Sequence, residues 1–252
     1  MATTRMKNWF PTTSSPLIVS APMAHRSHEG GRSRYGLDGF FLGSPGGQTN
    51  DRAGIGFIAG GRDFSPGSAS LKKLDEELTT ARQLLEGHRQ RKEEDVPLPI
   101  GVGFVTYDAS LSAFAKTTAP ILRNHRPAAV WLFAPSPLAQ TSTADIIGAL
   151  RASAGREWGL KVVVQVGTVA AAREAAADGA DVIVAQGVDA GGHQWASGAG
   201  VVSLVPEVAD MLRAEFPDRQ IAVWAAGGIA DGRGVVASLA LGAEAAVVGT
   251  KV

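Results

Sequence analysis

DGADVIVAQG, residues 178–187, and LGAEAAVVGT, residues 241–250, share the pattern that decides the fold. Each passes through glycine, alanine and an acidic residue into a short apolar run, and each then ends in a turn. The runs are apolar throughout rather than alternating, which is typical of parallel strands that are covered on both faces. A unit that recurs in this way indicates a repeating βα architecture.

Eight apolar runs rich in valine and isoleucine occur along the chain, and helical stretches separate most of them. Eight strands that alternate with helices predict a (β/α)8 TIM barrel, with an open doubly wound sheet as the competing fold. The strand count and the regular spacing of the units favour the barrel. The predicted strands are LIVSA (17–21), GIGFIAG (54–60), PIGVGF (99–104), AAVWLF (128–133), KVVVQV (161–166), DVIVAQ (181–186), IAVWAA (221–226) and AAVVGT (245–250).

Helix boundaries are also marked in the sequence. Thr168 and Asp231 stand where a side chain can cap the first turn of a helix, and Gly179 and Gly242 stand where those two helices would stop. The stretch 71–94 predicts an amphipathic helix, because four leucines share one face while charged residues occupy the other. Those leucines are Leu71, Leu74, Leu78 and Leu85.

Two regions depart from a regular barrel. Residues 25–53, where the first barrel helix is expected, are glycine-rich without a helical period, which predicts an irregular insert. The eighth predicted strand runs almost to the last residue, so we expect a barrel truncated before its last helix and C-terminal extension. Residues 1–15 are predicted to be a disordered lead-in, with a weak transit signal as the alternative, and residues 16–252 the barrel domain.

The overall composition excludes several classes of protein. The chain has 24 basic and 24 acidic residues, and this charge balance without a basic patch argues against a nucleic-acid binder. It has no cysteine, which excludes disulfides and thiolate chemistry. Neither a metal-ligand spacing nor a membrane-spanning apolar run is present, so no metal and no membrane association are predicted. A cytoplasmic location is the default expectation, and the sequence indicates no oligomeric state.

The segment QGVDAGGHQW, residues 186–195, marks a candidate catalytic site. It follows the sixth predicted strand, and barrel enzymes build their active sites from the loops after the strands. Its glycines would allow the backbone to approach a ligand, and His193 can act as a general acid or base near neutral pH. A glycine-rich turn that simply exposes a histidine remains the alternative.

The segment AAGGIADGRG, residues 225–234, marks a candidate phosphate site. Gly227 and Gly228 follow the seventh predicted strand, just before a helix, while Gly249 and Thr250 end the eighth. Backbone donors after these two strands form the recurrent phosphate site of TIM barrels. The alternative is that the glycines only allow tight turns, and the segment is not a P-loop because it lacks GK[ST].

Three segments in this order resemble the nitronate monooxygenase family, formerly called 2-nitropropane dioxygenases. They are PLIVSAPM (16–23), AQGVDAGGHQW (185–195) and AAGGIADGRGVVASLALGAEAAVVGT (225–250). The family consists of FMN-dependent TIM barrels, so the resemblance implies that FMN is the cofactor. It covers residues 16–252 except 25–53.

The resemblance also implies roles for individual residues. His193 would be the catalytic base near the flavin, and Gly103 and Gln165 would take positions that relatives often fill with asparagine and lysine. Ala21, Pro22 and Met23 would lie against the flavin ring. The other residues implied to contact FMN are Gln186, Gly191 and Gly192 along the cofactor and Gly227, Gly228, Gly249 and Thr250 at its phosphate.

The implied reaction is the FMN-dependent oxidation of alkyl nitronates or nitroalkanes with dioxygen. His193 would remove the α-proton when the substrate is a neutral nitroalkane. Three alternatives remain open: an NAD(P)H-dependent quinone or enoyl reductase, a phosphate-binding barrel lyase or isomerase, and an inactive truncated remnant.

Overall fold

The chain folds into a closed barrel of eight parallel strands, each hydrogen-bonded to the next, with the first pairing with the last. The computed structural model describes residues 2–13, 15–22, 54–86, 97–135, 140–155 and 157–249. The strands are β1 (Leu17–Ser20), β2 (Gly54–Gly61), β3 (Leu98–Val105), β4 (Pro127–Phe133), β5 (Lys161–Val166), β6 (Val182–Gln186), β7 (Ala222–Ala226) and β8 (Ala245–Val248).

Six helices alternate with strands β2 to β8, and another precedes β1. A 3-10 turn, Ala109–Ala113, leads into the third helix. Within the described parts of the chain, no helix combines the length and apolar character needed to cross a membrane. The helices are α1 (Ala2–Trp9), α2 (Ala69–Glu86), α3 (Phe114–His125), α4 (Thr143–Ala154), α5 (Val169–Asp178), α6 (Val201–Glu215) and α7 (Gly232–Ala240).

The predicted barrel is confirmed, and so are the marked helix boundaries. The Thr168 side chain accepts a hydrogen bond from the backbone N–H of Ala171, and α5 stops at Gly179, whose φ is +107°. Asp231 caps α7, and Gly242 follows its end with a φ of +103°. All four predicted leucines of α2 are buried.

Alternate residues of each strand face two separate apolar layers. Outward-facing side chains pack under the helices, while inward-facing ones fill the barrel. Trp131 and Trp224 are the largest side chains of the inner layer, with ring centroids 6.3 Å apart, and the Phe57 ring meets Trp131 edge-on at 5.1 Å. Side chains therefore fill the barrel interior, so a ligand would bind at the carboxyl end of the barrel rather than inside it.

The prediction of a disordered lead-in over residues 1–15 is wrong where α1 forms. Met6 and Phe10 lie one helical turn apart and are both 3% exposed, packed into the inner layer of the barrel. Burying side chains of this kind contributes roughly 1.5–3 kcal/mol each, which stabilises a helix whose sequence alone gives little sign of one.

α1 closes the amino-terminal end of the barrel. Arg5 donates to the carbonyl oxygen of Ile221, just before β7, and forms a 3.2 Å ion pair with Glu244, just before β8. The Lys161 ammonium, at the start of β5, lies 4.4 Å from the centre of the Trp9 ring. The predicted insert at 25–53, like Met23, Thr250 and Val252, lies outside the described residues.

Candidate active site

The loop between β6 and α6, residues 187–200, crosses the carboxyl end of the barrel and is fastened at both ends. The backbone N–H of Val188 donates to the Ala199 carbonyl at 3.1 Å. The Asp189 carboxylate accepts from the Val201 N–H at 2.8 Å, at the start of α6. These bonds hold the loop that carries His193 in one arrangement.

Gln186 connects the barrel wall to His193. It is the last residue of β6 and is 8% exposed, and its amide Nε2 donates to the His193 carbonyl oxygen at 3.0 Å. The His193 side chain itself is exposed, as are Gly191 and Gly192, and Gly192 has a φ of +76°. The structure therefore brings Gln186 and the predicted base together through the backbone of the loop.

Gln186 also has a buried acceptor that no described residue satisfies. Its Oε1 has no hydrogen-bond partner among the described residues, although its Nε2 is bonded to the loop. A buried amide oxygen without a donor costs free energy, on the order of 1–3 kcal/mol. A ligand that offers a donor at this point of the mouth would remove that cost.

Trp195 is a site residue that the sequence reasoning did not single out. Its ring lies against Gly167, where a Cβ would come within 2.7 Å of the Trp195 Cβ, so the glycine after β5 is what allows this loop to settle. Its indole Nε1 is buried, and none of the residues that the structure describes accepts a hydrogen bond from it. The sequence feature that could have identified Trp195 is an aromatic residue two positions after His193 in a loop rich in glycine and alanine.

Gln165 faces the barrel interior from β5 and is 7% exposed. Its Oε1 accepts a hydrogen bond from the Trp131 indole N–H at 2.9 Å. Because an indole N–H can only donate, this contact requires the carbonyl end of the amide to face Trp131 and leaves the NH₂ end for another acceptor.

The residues predicted to back the flavin meet at β1 and β3. A Cβ on Gly103 would lie 2.4 Å from the Pro22 Cγ, so Pro22 occupies the space that a side chain at position 103 would fill. The Ala21 N–H donates to the Val248 carbonyl at 3.0 Å and so joins β1 to β8. The missing side chain at Gly103 thus accommodates Pro22.

Gly227 and Gly228 form a turn that only glycine fits well. Their φ values are +119° and +64°, and a Cβ on Gly227 would lie 3.1 Å from the Gly187 carbonyl oxygen. The turn after β7 therefore packs against the one after β6. Gly249 follows the neighbouring β8, and its Cβ position would be 3.9 Å from the Cβ of Ala21.

The first turn of α7 is already capped from within the protein. The Asp231 carboxylate accepts from the N–H groups of Arg233 and Gly234 and pairs with the Arg233 guanidinium at 2.5 Å. The side-chain hydrogen bond from Arg233 holds the pKa of Asp231 below its ordinary value, with the two backbone bonds adding to the effect. A phosphate here would have to rely on the Gly227–Gly228 turn and the end of β8.

The structure thus gathers the described candidate residues at one end of the barrel. In the part of the chain that it describes, no group of three or more potential metal ligands occurs.

A family model for nitronate monooxygenase matches residues 150–252. The chain is 49% identical, over 260 aligned positions, to a nitronate monooxygenase from Neurospora crassa. That alignment covers 99% of this chain but 63% of the relative, so the chain spans less than two thirds of that protein.

Two solved structures are similar in fold. A nitroalkane oxidase from Streptomyces ansochromogenes has a TM-score of 0.59 and 25% identity, covering 97% of this chain and 66% of its own. FabK from Thermotoga maritima has a TM-score of 0.64 and 24% identity, covering 97% of this chain and 60% of its own. Both similarities extend across nearly the whole barrel.

Proposed function

We propose that this chain, which is 49% identical to a nitronate monooxygenase over 99% of its length, binds FMN at the carboxyl end of its barrel and oxidises alkyl nitronates with dioxygen. The observation that carries the proposal is the Gln186–His193 contact. It combines a histidine at the barrel mouth with a nearby buried acceptor that has no donor in the described part of the chain.

The residues at the mouth fit a flavin in three respects. The Gln186 Oε1 lacks a donor, which a flavin ring N–H can supply. Gln165 has its NH₂ directed away from Trp131 and can donate to a flavin carbonyl. The glycines at 191, 192, 227, 228 and 249 allow the backbone to approach the cofactor and its phosphate. We assign Ala21, Pro22, Met23, Gly103 and Thr250 to the same site from the family pattern.

His193 has a proton-transfer role in this proposal. When the substrate is a neutral nitroalkane, the imidazole takes the α-proton and leaves the nitronate anion. Because the His193 side chain is exposed, it can then release that proton to water. A bound flavin would supply the redox chemistry by accepting electrons from the nitronate, with dioxygen as the second substrate.

The first test is to purify the 252-residue chain and record its visible spectrum, then to assay oxygen consumption with a nitroalkane and with its nitronate. We expect a flavin spectrum with released FMN, and turnover of both substrates. A colourless protein that takes up no added FMN would contradict the proposal, and flavin reduction by NADH without nitronate turnover would favour a reductase.

Replacing His193 by alanine should separate the two substrates. The value of kcat/KM for the nitroalkane should fall by about 10²–10⁴-fold, the usual contribution of a general base, while the value for the nitronate changes much less. Gln194→Ala is the matched control, because Gln194 is an exposed neighbour in the same loop. Equal losses with both substrates would argue against a base at position 193.

A further inference from the structure

Arg62 and Tyr107 lie at the same end of the barrel as His193 but come from other strands. Arg62 directly follows β2, and Tyr107 stands two residues after β3. The pairing of β2 with β3 is irregular between Ala59 and Gly61, and Gly61 has a φ of +85°. Such an irregularity at the end of a strand redirects the side chain that follows it.

The two side chains form a pair that is rich in hydrogen-bond donors. The Arg62 guanidinium lies over the Tyr107 ring, 5.6 Å from its centre, and its NH1 donates to the Tyr107 hydroxyl oxygen. That oxygen acts as acceptor, so the hydroxyl proton can be donated elsewhere, along with the other guanidinium N–H groups. A planar array of donors with a positive charge suits an anion with two oxygens.

The nearby carboxylates are hydrogen-bonded to serines rather than to Arg62. Asp108 accepts from both the N–H and the hydroxyl of Ser110, at 2.9 and 2.7 Å, and Asp63 accepts from the N–H of Ser65. The pKa of Asp108 is lowered chiefly by its hydrogen bonds from Ser110, and the charge of Arg62 adds to this effect. Among the described residues, no carboxylate forms an ion pair with Arg62, whereas several other arginines have one. Within the described residues, the remaining N–H groups of the Arg62 guanidinium are therefore not taken up by a carboxylate.

The pair and His193 belong to opposite sides of the barrel mouth. Strands β2 and β6 are four positions apart in either direction around the eight-stranded barrel, so Arg62 and His193 follow diametrically opposed strands. A ligand that fills the mouth would have the proposed base on one side and the cation on the other.

We propose that Arg62, held in place by Tyr107, binds the negatively charged group of the substrate and so favours the nitronate anion over the neutral nitroalkane. This specificity role rests on the proposed function. The attraction is electrostatic, so added salt should weaken it.

Kinetics of an Arg62→Gln variant test the role directly, with 2-nitropropane and its nitronate as substrates. We expect kcat/KM for the nitronate to fall about tenfold, the size of one lost charge-assisted hydrogen bond, with little change for 2-nitropropane. Salt should slow the wild type with nitronate but not the variant, and Arg62→Lys should recover part of the loss. Arg213→Gln is the matched control, because Arg213 is exposed near the end of α6, far along the helix from the barrel mouth, and pairs with Asp210 on the same helix.

Chemical protection gives a second readout that needs no turnover. Phenylglyoxal modifies accessible arginines, and mass spectrometry of the peptides reports each site. We expect the nitronate, but not 2-nitropropane, to protect Arg62 in the wild-type chain, while Arg213 is modified equally in all samples. Protection without turnover would support the anion site and contradict the proposed reaction. Equal modification of Arg62 with and without nitronate, together with an unchanged substrate preference in Arg62→Gln, would overturn the inference.

Discussion

At the scale of single residues, Gln165 places a neutral amide on the inner wall of the barrel, and Trp131 decides which end of that amide faces the mouth. The Trp131 indole N–H can only donate a hydrogen bond, so the Gln165 Oε1 faces it and accepts at 2.9 Å. Both side chains are buried. An amide with one fixed end is a stronger specificity element than a freely rotating one, because turning it over would leave a buried donor facing a donor.

Removing the indole N–H should destabilise the protein through that amide. Trp131→Phe leaves the Gln165 Oε1 buried without the indole donor. We expect this to lower the free energy of unfolding by about 1–3 kcal/mol, in addition to the cost of the smaller ring. Urea unfolding measures the change. In a Gln165→Met background the same substitution should cost less, because the acceptor is gone. Equal costs in both backgrounds would show that the hydrogen bond contributes little.

The sequence allowed prediction of the residues whose neighbours are close in the chain. Thr168, Asp231 and Gly179 act within one helical turn, so their roles follow from local patterns. The contact of Arg62 with Tyr107 joins residues 45 apart, and it depends on how β2 and β3 align. No local pattern contains that information, and the same holds for Trp131 with Gln165.

At the scale of elements, the strands were predictable and α1 was not. A strand buried on both faces has a continuous apolar run, which can be recognised without knowing its partners. Met6 in α1 and Phe10 directly after it are buried, in a stretch that is mostly polar. The barrel end that they fill is formed by strands far away in the sequence. Its helical state follows from tertiary packing more than from its own sequence.

The contact between α1 and β8 should make stability depend on pH. Burial raises the pKa of Glu244 above its ordinary value of 4.5, and the attraction of Arg5 only partly offsets this. A carboxyl whose pKa rises on folding stabilises the folded state below the ordinary value, and this contribution is lost as pH rises through the folded pKa. Relative to Glu244→Gln, the wild type should therefore lose stability as the pH rises above the ordinary value of 4.5.

Urea unfolding across that pH range checks the sign. Glu215→Gln is the matched control, because the hydrogen bond from Arg173 lowers the pKa of Glu215 and its contribution should be lost as pH falls instead. A wild-type stability that rises relative to Glu244→Gln as pH increases would contradict the assignment.

At the scale of the whole molecule, the closed ring of strands should unfold as one unit. Because β1 pairs with β8, the sheet has no open edge. Met6 and Phe10 pack against the inward-facing side chains of the strands. We propose that residues 16–252, together with α1, act as one domain. Far-UV circular dichroism and tryptophan fluorescence should therefore report the same midpoint in urea, whereas two separated transitions would indicate independent parts.

The position of α1 also determines at which end of the barrel a ligand can bind and leave. Met6, Phe10 and the bonds of Arg5 close the amino-terminal end of the barrel, and side chains fill its interior, so a ligand of the proposed site has to arrive and leave at the carboxyl end. In the proposed reaction, substrate and product would share this one opening. A product that dissociates slowly would block the next substrate, so product release would limit turnover even where the chemistry is fast.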